Sequence, residues 1–224
     1  SFTNSVVKAN LTYSNNTTTV DCTVIGGVIG MVGGVTKTPE SGITFGKVTV
    51  SGNITDDHKG DTSKNNGNSR VGGLIAEIRA SDVIPKYDDS TGIVVYSNLV
   101  NIEDVTISEL TIKRTSPNGC KTSGGFLGHD WYRVEVTLDK LNVSNSTINT
   151  QCNDLGALVF STTGYWNIHN VNFDGVTINA PNCEIFGMLV SYLFGKTDDY
   201  YGFNYYTGEN KVGKYDCSRD ASYF

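Results

Sequence analysis

Acidic side chains are the groups most able to do chemistry here, and they come in clusters. Asp56, Asp57 and Asp61 stand close together, as do Asp88 and Asp89, and Asp198 and Asp199. Grouped carboxylates can ligate Ca²⁺ or, in pairs at set separations, cleave a glycoside. All of these lie in polar stretches without the regular ligand spacing of an EF-hand. Solvated loop carboxylates are the plainer reading, and Asp56, Asp57, Asp61, Asp88 and Asp89 are the Ca²⁺ candidates.

His129-Asp130-Trp131-Tyr132-Arg133 is the chemically richest local run. Neighbours on a strand point to opposite faces, so His129 and Asp130 read as a surface turn rather than an acid/base pair. No Gly-x-Ser-x-Gly, His-Glu-x-x-His or phosphate loop occurs, and His58 and His169 have no matching partners. No catalytic or cofactor residue is assigned from the sequence, and Ca²⁺ is the one ion considered.

Cysteine positions carry more information than their number. Cys120, Cys152 and Cys183 are separated by 32 and 31 residues, and each stands four residues before a glycine followed by apolar residues. Cys22 has the same setting, and Cys217 follows Cys183 by 34. Stacked on strands about 4.8 Å apart, such residues form a column within disulfide reach, about 4.4–6.8 Å between Cα atoms. Two readings stay open: a column of buried thiols, or one disulfide among Cys120, Cys152 and Cys183 with the third left over. Zinc is disfavoured, because no Cys-x-x-Cys or paired His accompanies them.

Aromatic residues offer surfaces instead of reactions. Seven of the twelve tyrosines lie from Tyr192 onward, and Tyr200, Tyr201, Tyr205 and Tyr206 are candidates for a platform that meets sugar rings or another protein. The plainer alternative is a loop packed on the body's flank. Trp131 and Trp166 each precede an apolar signature by five residues, which predicts a shared register and a stacked pair closing a core corner. Six Asn-x-Ser/Thr sequons, at Asn10, Asn15, Asn16, Asn53, Asn142 and Asn145, are possible glycosylation sites.

Bulk properties exclude some classes. Net charge is −6 and no run of Lys or Arg occurs, so the basic footprint of nucleic-acid binding is missing. The most apolar run, Val24 to Val35, is short and broken by glycines, which reads as buried strand and not as a membrane span. The repeat is already in progress at residue 1, so the 224 residues read as a single segment of something longer.

The elements that position these groups are written as a repeat. Gly26-Gly27-Val28-Ile29, Gly72-Gly73-Leu74-Ile75, Gly124-Gly125-Phe126-Leu127, Gly156-Ala157-Leu158-Val159 and Gly187-Met188-Leu189-Val190 open successive copies. The first four are each followed by apolar residues at offsets 0, 2, 5 and 7: Ile43, Phe45, Val48, Val50; Val105, Ile107, Leu110, Ile112; Val136, Leu138, Leu141, Val143; Val171, Phe173, Val176, Ile178. Short alternating stretches are strands, and the extra residue between the pairs implies a bend. About 31 residues per copy, with three short strands each, predicts an all-β parallel β-helix of roughly five coils. A β-sandwich accounts for the strands but not for the recurring spacing. Two polar excursions are expected, at about 51–67 and 79–92, and an irregular Tyr-rich part over about 195–224.

The Gly-Gly-apolar openings resemble those of large secreted β-helix proteins, namely bacterial surface adhesins of the GLUG-repeat type and, more distantly, the chlamydial polymorphic membrane proteins. That resemblance implies an extracellular or cell-surface location and an adhesive or structural role. The expected partners are a protein or glycan surface, or further copies in a filament. Two other functions compete: a β-helix polysaccharide lyase or glycoside hydrolase, and a glycan-binding module.

Overall fold

The computed structural model describes residues 1–15, 24–34, 43–58, 70–80, 86–88, 93–95, 99–115, 122–131, 135–152, 154–162, 165–193, 203–207, 211–212 and 215–218. Among these residues the protein is all-β, with no helix, and its sheets are parallel apart from one hairpin. The chain visits three ladders in a fixed order. The short Gly ladder comes first, with strands Val24–Gly26, Arg70–Gly72, Thr122–Gly124, Asp154–Gly156 and Ile185–Gly187. A return ladder follows, with Ile29–Gly34, Ile75–Ala80, His129–Trp131, Val159–Thr162 and Val190–Leu193.

The long ladder comes third. It contains Phe2–Asn15, Ile43–His58, Leu99–Arg114, Glu135–Ser144 with Thr147–Thr150, and Tyr165–Asp174 with Val176–Asn179. Phe203–Thr207, Lys211–Val212 and Tyr215–Ser218 complete it. Every member pairs in parallel with its counterpart from the next circuit. Where a short ladder is interrupted, backbone bonds continue it: Gly73 N donates to Gly125 O (3.1 Å) and Phe160 N to Gly128 O (2.8 Å). This arrangement is compatible with a β-helix.

Register converts the repeat into buried columns. Phe45, Ile102, Leu138 and Ile168 are successive partners, as are Val50, Ile107, Val143 and Phe173, and Ile54, Ile112, Ile148 and Ile178; all are fully buried. Each such side chain contributes roughly 1.5–3 kcal/mol relative to exposure.

The bends have a physical cause. Asn4, Lys47, Asp104, Lys140 and Asn170 occupy one corner with φ between 49° and 56°, and Gly52, Glu109, Asn145 and Gly175 occupy a second with positive φ. One left-handed residue between two short strands lets the residues on both sides face inward. At the opposite end of the circuit, a Cβ on Gly26, Gly72, Gly124 or Gly156 would overlap the carbonyl oxygen of Ile29, Ile75, Gly128 or Val159. The first glycine of these four openings is therefore sterically required.

The structure differs from the sequence-based expectation in five places, one of them His129 and Asp130, which lie on a paired strand and not in a surface turn. The first excursion does not begin at Ser51, because Ile43–His58 is one paired strand and Ile54 and Asp56 are buried in it. The second does not end at Gly92, because Lys86–Asp88 pairs antiparallel with Ile93–Val95. The Tyr-rich end is not wholly irregular: its three strands continue the long ladder against residues 165–179. Trp131 and Trp166 do not share a register, since Trp131 pairs with Arg79 on the return ladder and Trp166 with Val136 on the long one.

Candidate functional site

The first left-handed corner builds a groove that no sequence motif announced. A hollow of about 370 Å³ is lined by Thr3 and Asn4, Gly46 and Lys47, Glu103 and Asp104, and Asp139 and Lys140, one pair from each of four successive strands. Gly46 leaves the floor open, since a Cβ there would meet only Thr3 Cγ2, at 3.5 Å. Lys47, Glu103, Asp104 and Lys140 are exposed, and none of them makes an ion pair with another described residue. Asp139 Oδ1 accepts a hydrogen bond from Asn170 Nδ2 at 2.7 Å. Three carboxylates and two ammonium groups thus face one hollow, a set that suits a polar ligand with several hydroxyls or charges.

A second groove, of about 480 Å³, follows the end of the long ladder at Lys113, Thr115, Asn149, Gln151, Asn179 and Pro181. Its amides bond across strands, Asn179 Nδ2 to Asn149 Oδ1 at 2.6 Å and Asn182 Nδ2 to Gln151 Oε1 at 2.8 Å. Such ladders satisfy outward polar groups and align neighbouring strands.

Charges also lie inside. Arg70 Nη1 bonds Glu77 Oε2 at 2.8 Å with both side chains buried, and His129 stands in register with Glu77. The His129 ring meets Phe160 edge-on, with centroids 5.1 Å apart. Burial, and then the positive charge of Arg70, push the His129 pKa from 6.5 down to about 3. His129 is therefore neutral near pH 7 and unsuited to general-base catalysis there.

The sequence candidates are placed as follows. Asp56 is buried and its Oδ2 lies 3.5 Å from Arg114 Nε, while Asp57 Oδ1 accepts from Thr115 Oγ1 at 2.6 Å. Burial lowers the Arg114 pKa, and Asp56 opposes that shift through charge and hydrogen bonding. Asp56 and Asp57 thus belong to a strand end and not to an open Ca²⁺ loop. Asp88 lies in the hairpin, and Asp61, Asp89, Asp198 and Asp199 lie outside the described residues. Among the described residues, no three His, Cys, Asp or Glu side chains form a metal-binding group.

Cys152 is disulfide-bonded, whereas Cys183 is a buried thiol whose Sγ donates to Ile185 O at 3.0 Å. Cys152 is thus in a disulfide and Cys183 is not; Cys22 and Cys120 lie outside the described residues, and of Cys217 only the strand position is described. Tyr205 and Tyr206 pair with Asn167 and Ile168, and Tyr200 and Tyr201 lie outside. Asn10 and Asn53 are exposed register partners, with Asn53 Nδ2 3.4 Å from Asn10 Oδ1. Asn142 and Asn145 are also exposed; Asn15 ends its strand, and Asn16 lies outside.

No helix among the described residues is long and apolar enough to cross a membrane. Compared with protein-family models, curated proteins and solved structures, the chain matches none of them.

Proposed function

We propose that the chain is a parallel β-helix of roughly five coils, acting without catalysis as an extracellular or cell-surface segment in adhesion or as a structural, filament-forming element. The observation that carries this reading is the long ladder, in which each circuit lies on the next with apolar columns inside and Ser, Thr and Asn outside. The disulfide at Cys152 supports an oxidising compartment, and the resemblance to GLUG-type adhesins points the same way. The test is retention of partners by the immobilised chain from a panel of matrix proteins and glycans, with sedimentation to detect assembly. Specific retention or assembly is the expected result. A monomer that retains nothing from the panel would sink the proposal.

The corner groove favours a second reading, a glycan-binding or carbohydrate-active surface. Glu103, Asp104 and Asp139 supply acids, and Lys47 and Lys140 supply cations, along a line of strands spaced for an extended chain. Under this reading, replacing all three acids by their amides abolishes retention of acidic and neutral polysaccharides, or their cleavage to new reducing ends. Unchanged retention in that variant rules the groove out.

A further inference from the structure

The residues flanking Cys152 and Cys183 are joined on both sides along the chain. On one side, Asn182 Nδ2 bonds Gln151 Oε1 at 2.8 Å. On the other, Asp154, Leu155 and Gly156 pair with Ile185, Phe186 and Gly187. All four residue pairs share one separation in sequence, 31, and so do Cys152 and Cys183. Both cysteine side chains are buried, with 0% and 2% exposure, so they face the same interior. Neighbouring strands about 4.8 Å apart fall inside the Cα range that a disulfide needs, about 4.4–6.8 Å. One of these two residues is already in a disulfide and the other is a thiol.

We propose that this disulfide is transferable. In a local opening that admits water, the Cys183 thiol gives up its proton to that water, and its thiolate attacks Cys152 Sγ. The bond from Cys152 to its present partner breaks as the Cys183–Cys152 bond forms. The displaced cysteine leaves as a thiolate and takes up a proton. One thiol and one disulfide are present before and after, so no external oxidant or reductant is required. The result moves the covalent link of Cys152 from its present partner to Cys183, 31 residues towards the C-terminus.

The test uses the whole oxidised chain at pH 8.5 without added thiol, quenched in acid, alkylated with N-ethylmaleimide and mapped as peptides without reduction. Cys152 is expected in two linkages, to its original partner and to Cys183, with the alkyl label moving from Cys183 to the displaced cysteine. The approach to that mixture slows about tenfold per unit of pH below the thiol pKa, because the thiolate is the nucleophile. A Cys183→Ala variant keeps only the original linkage. In a second arm the mapped partner of Cys152 is replaced by Ala and the protein is reoxidised, and a Cys152–Cys183 bond is expected. Label that stays on Cys183 throughout in the unaltered protein, or two persistent thiols in a folded second-arm variant, would overturn the proposal.

Discussion

Lowering the pH from 7 to 4.5 should loosen the fold through His129, and the size of the effect follows from its surroundings. Its pKa in the folded protein is about 3, depressed first by burial and then by Arg70, against an ordinary 6.5. Between those two values the unfolded chain binds a proton that the folded chain refuses. Stability is therefore fully present above about pH 6.5 and drains away as the pH falls towards 3. At about 1.4 kcal/mol per unit of pKa difference, the loss is about 1 kcal/mol at pH 5.5 and about 3 kcal/mol at pH 4.5. The assay is urea unfolding of the protein and of a His129→Gln variant at pH 7, 5.5 and 4.5. All other side chains are common to the two proteins, so the difference between the two curves isolates His129. The variant's stability should fall less steeply by the amounts given. Parallel stability–pH curves for the two proteins would refute the reasoning.

Three further outcomes are expected. Arg114→Met strands Asp56 in the interior and should cost about 3–5 kcal/mol in urea unfolding, while adding Asp56→Leu should recover most of that loss. Gly124→Ala, whose Cβ overlaps Gly128 O, should lower Tm sharply or prevent folding, whereas Gly46→Ala should change stability by no more than about 0.5 kcal/mol. Trp166→Ala, which empties a fully buried position opposite Val136, should cost about 3–5 kcal/mol by the same assay.

The repeat and its parallel strands were legible because apolar spacing and glycine position carry them. Register was not, and the reason is visible in Leu99–Arg114. Val100, Ile102, Val105, Ile107, Leu110 and Ile112 are all buried, giving offsets 0, 2, 5, 7, 10 and 12. A shift of five residues maps the first four of these offsets onto the last four. A search for 0, 2, 5, 7 therefore finds Val136–Val143 in one copy and Val171–Ile178 in the next, although the structure pairs Leu141 with Val171. The shared tryptophan register failed for the same reason.

Ser51–His58 hid its strand because its inward positions are Gly52, Ile54 and Asp56, of which only Ile54 has a large apolar side chain. In the C-terminal strands Tyr206, Val212, Tyr215 and Cys217 stand in register with Ile168, Phe173, Val176 and Ile178, so tyrosine replaces the aliphatic pattern. The groove was illegible in principle. Lys47, Glu103, Asp104 and Lys140 are unremarkable in sequence, and only the strand register brings them to one corner.

The pairing of Phe45 with Ile102, Ile102 with Leu138, and Leu138 with Ile168 has a practical consequence. These partners are separated by 57, 36 and 30 residues respectively, yet each step in space is one strand spacing, about 4.8 Å. Chain length between circuits and distance along the stack are thus decoupled. A foreign peptide spliced into the connection between Ala80 and Leu99 should leave the ladder undisturbed, because that connection already spans more residues than its counterparts. The spacing of such an insert along the ladder would then be set by the strands beneath it and not by its own length.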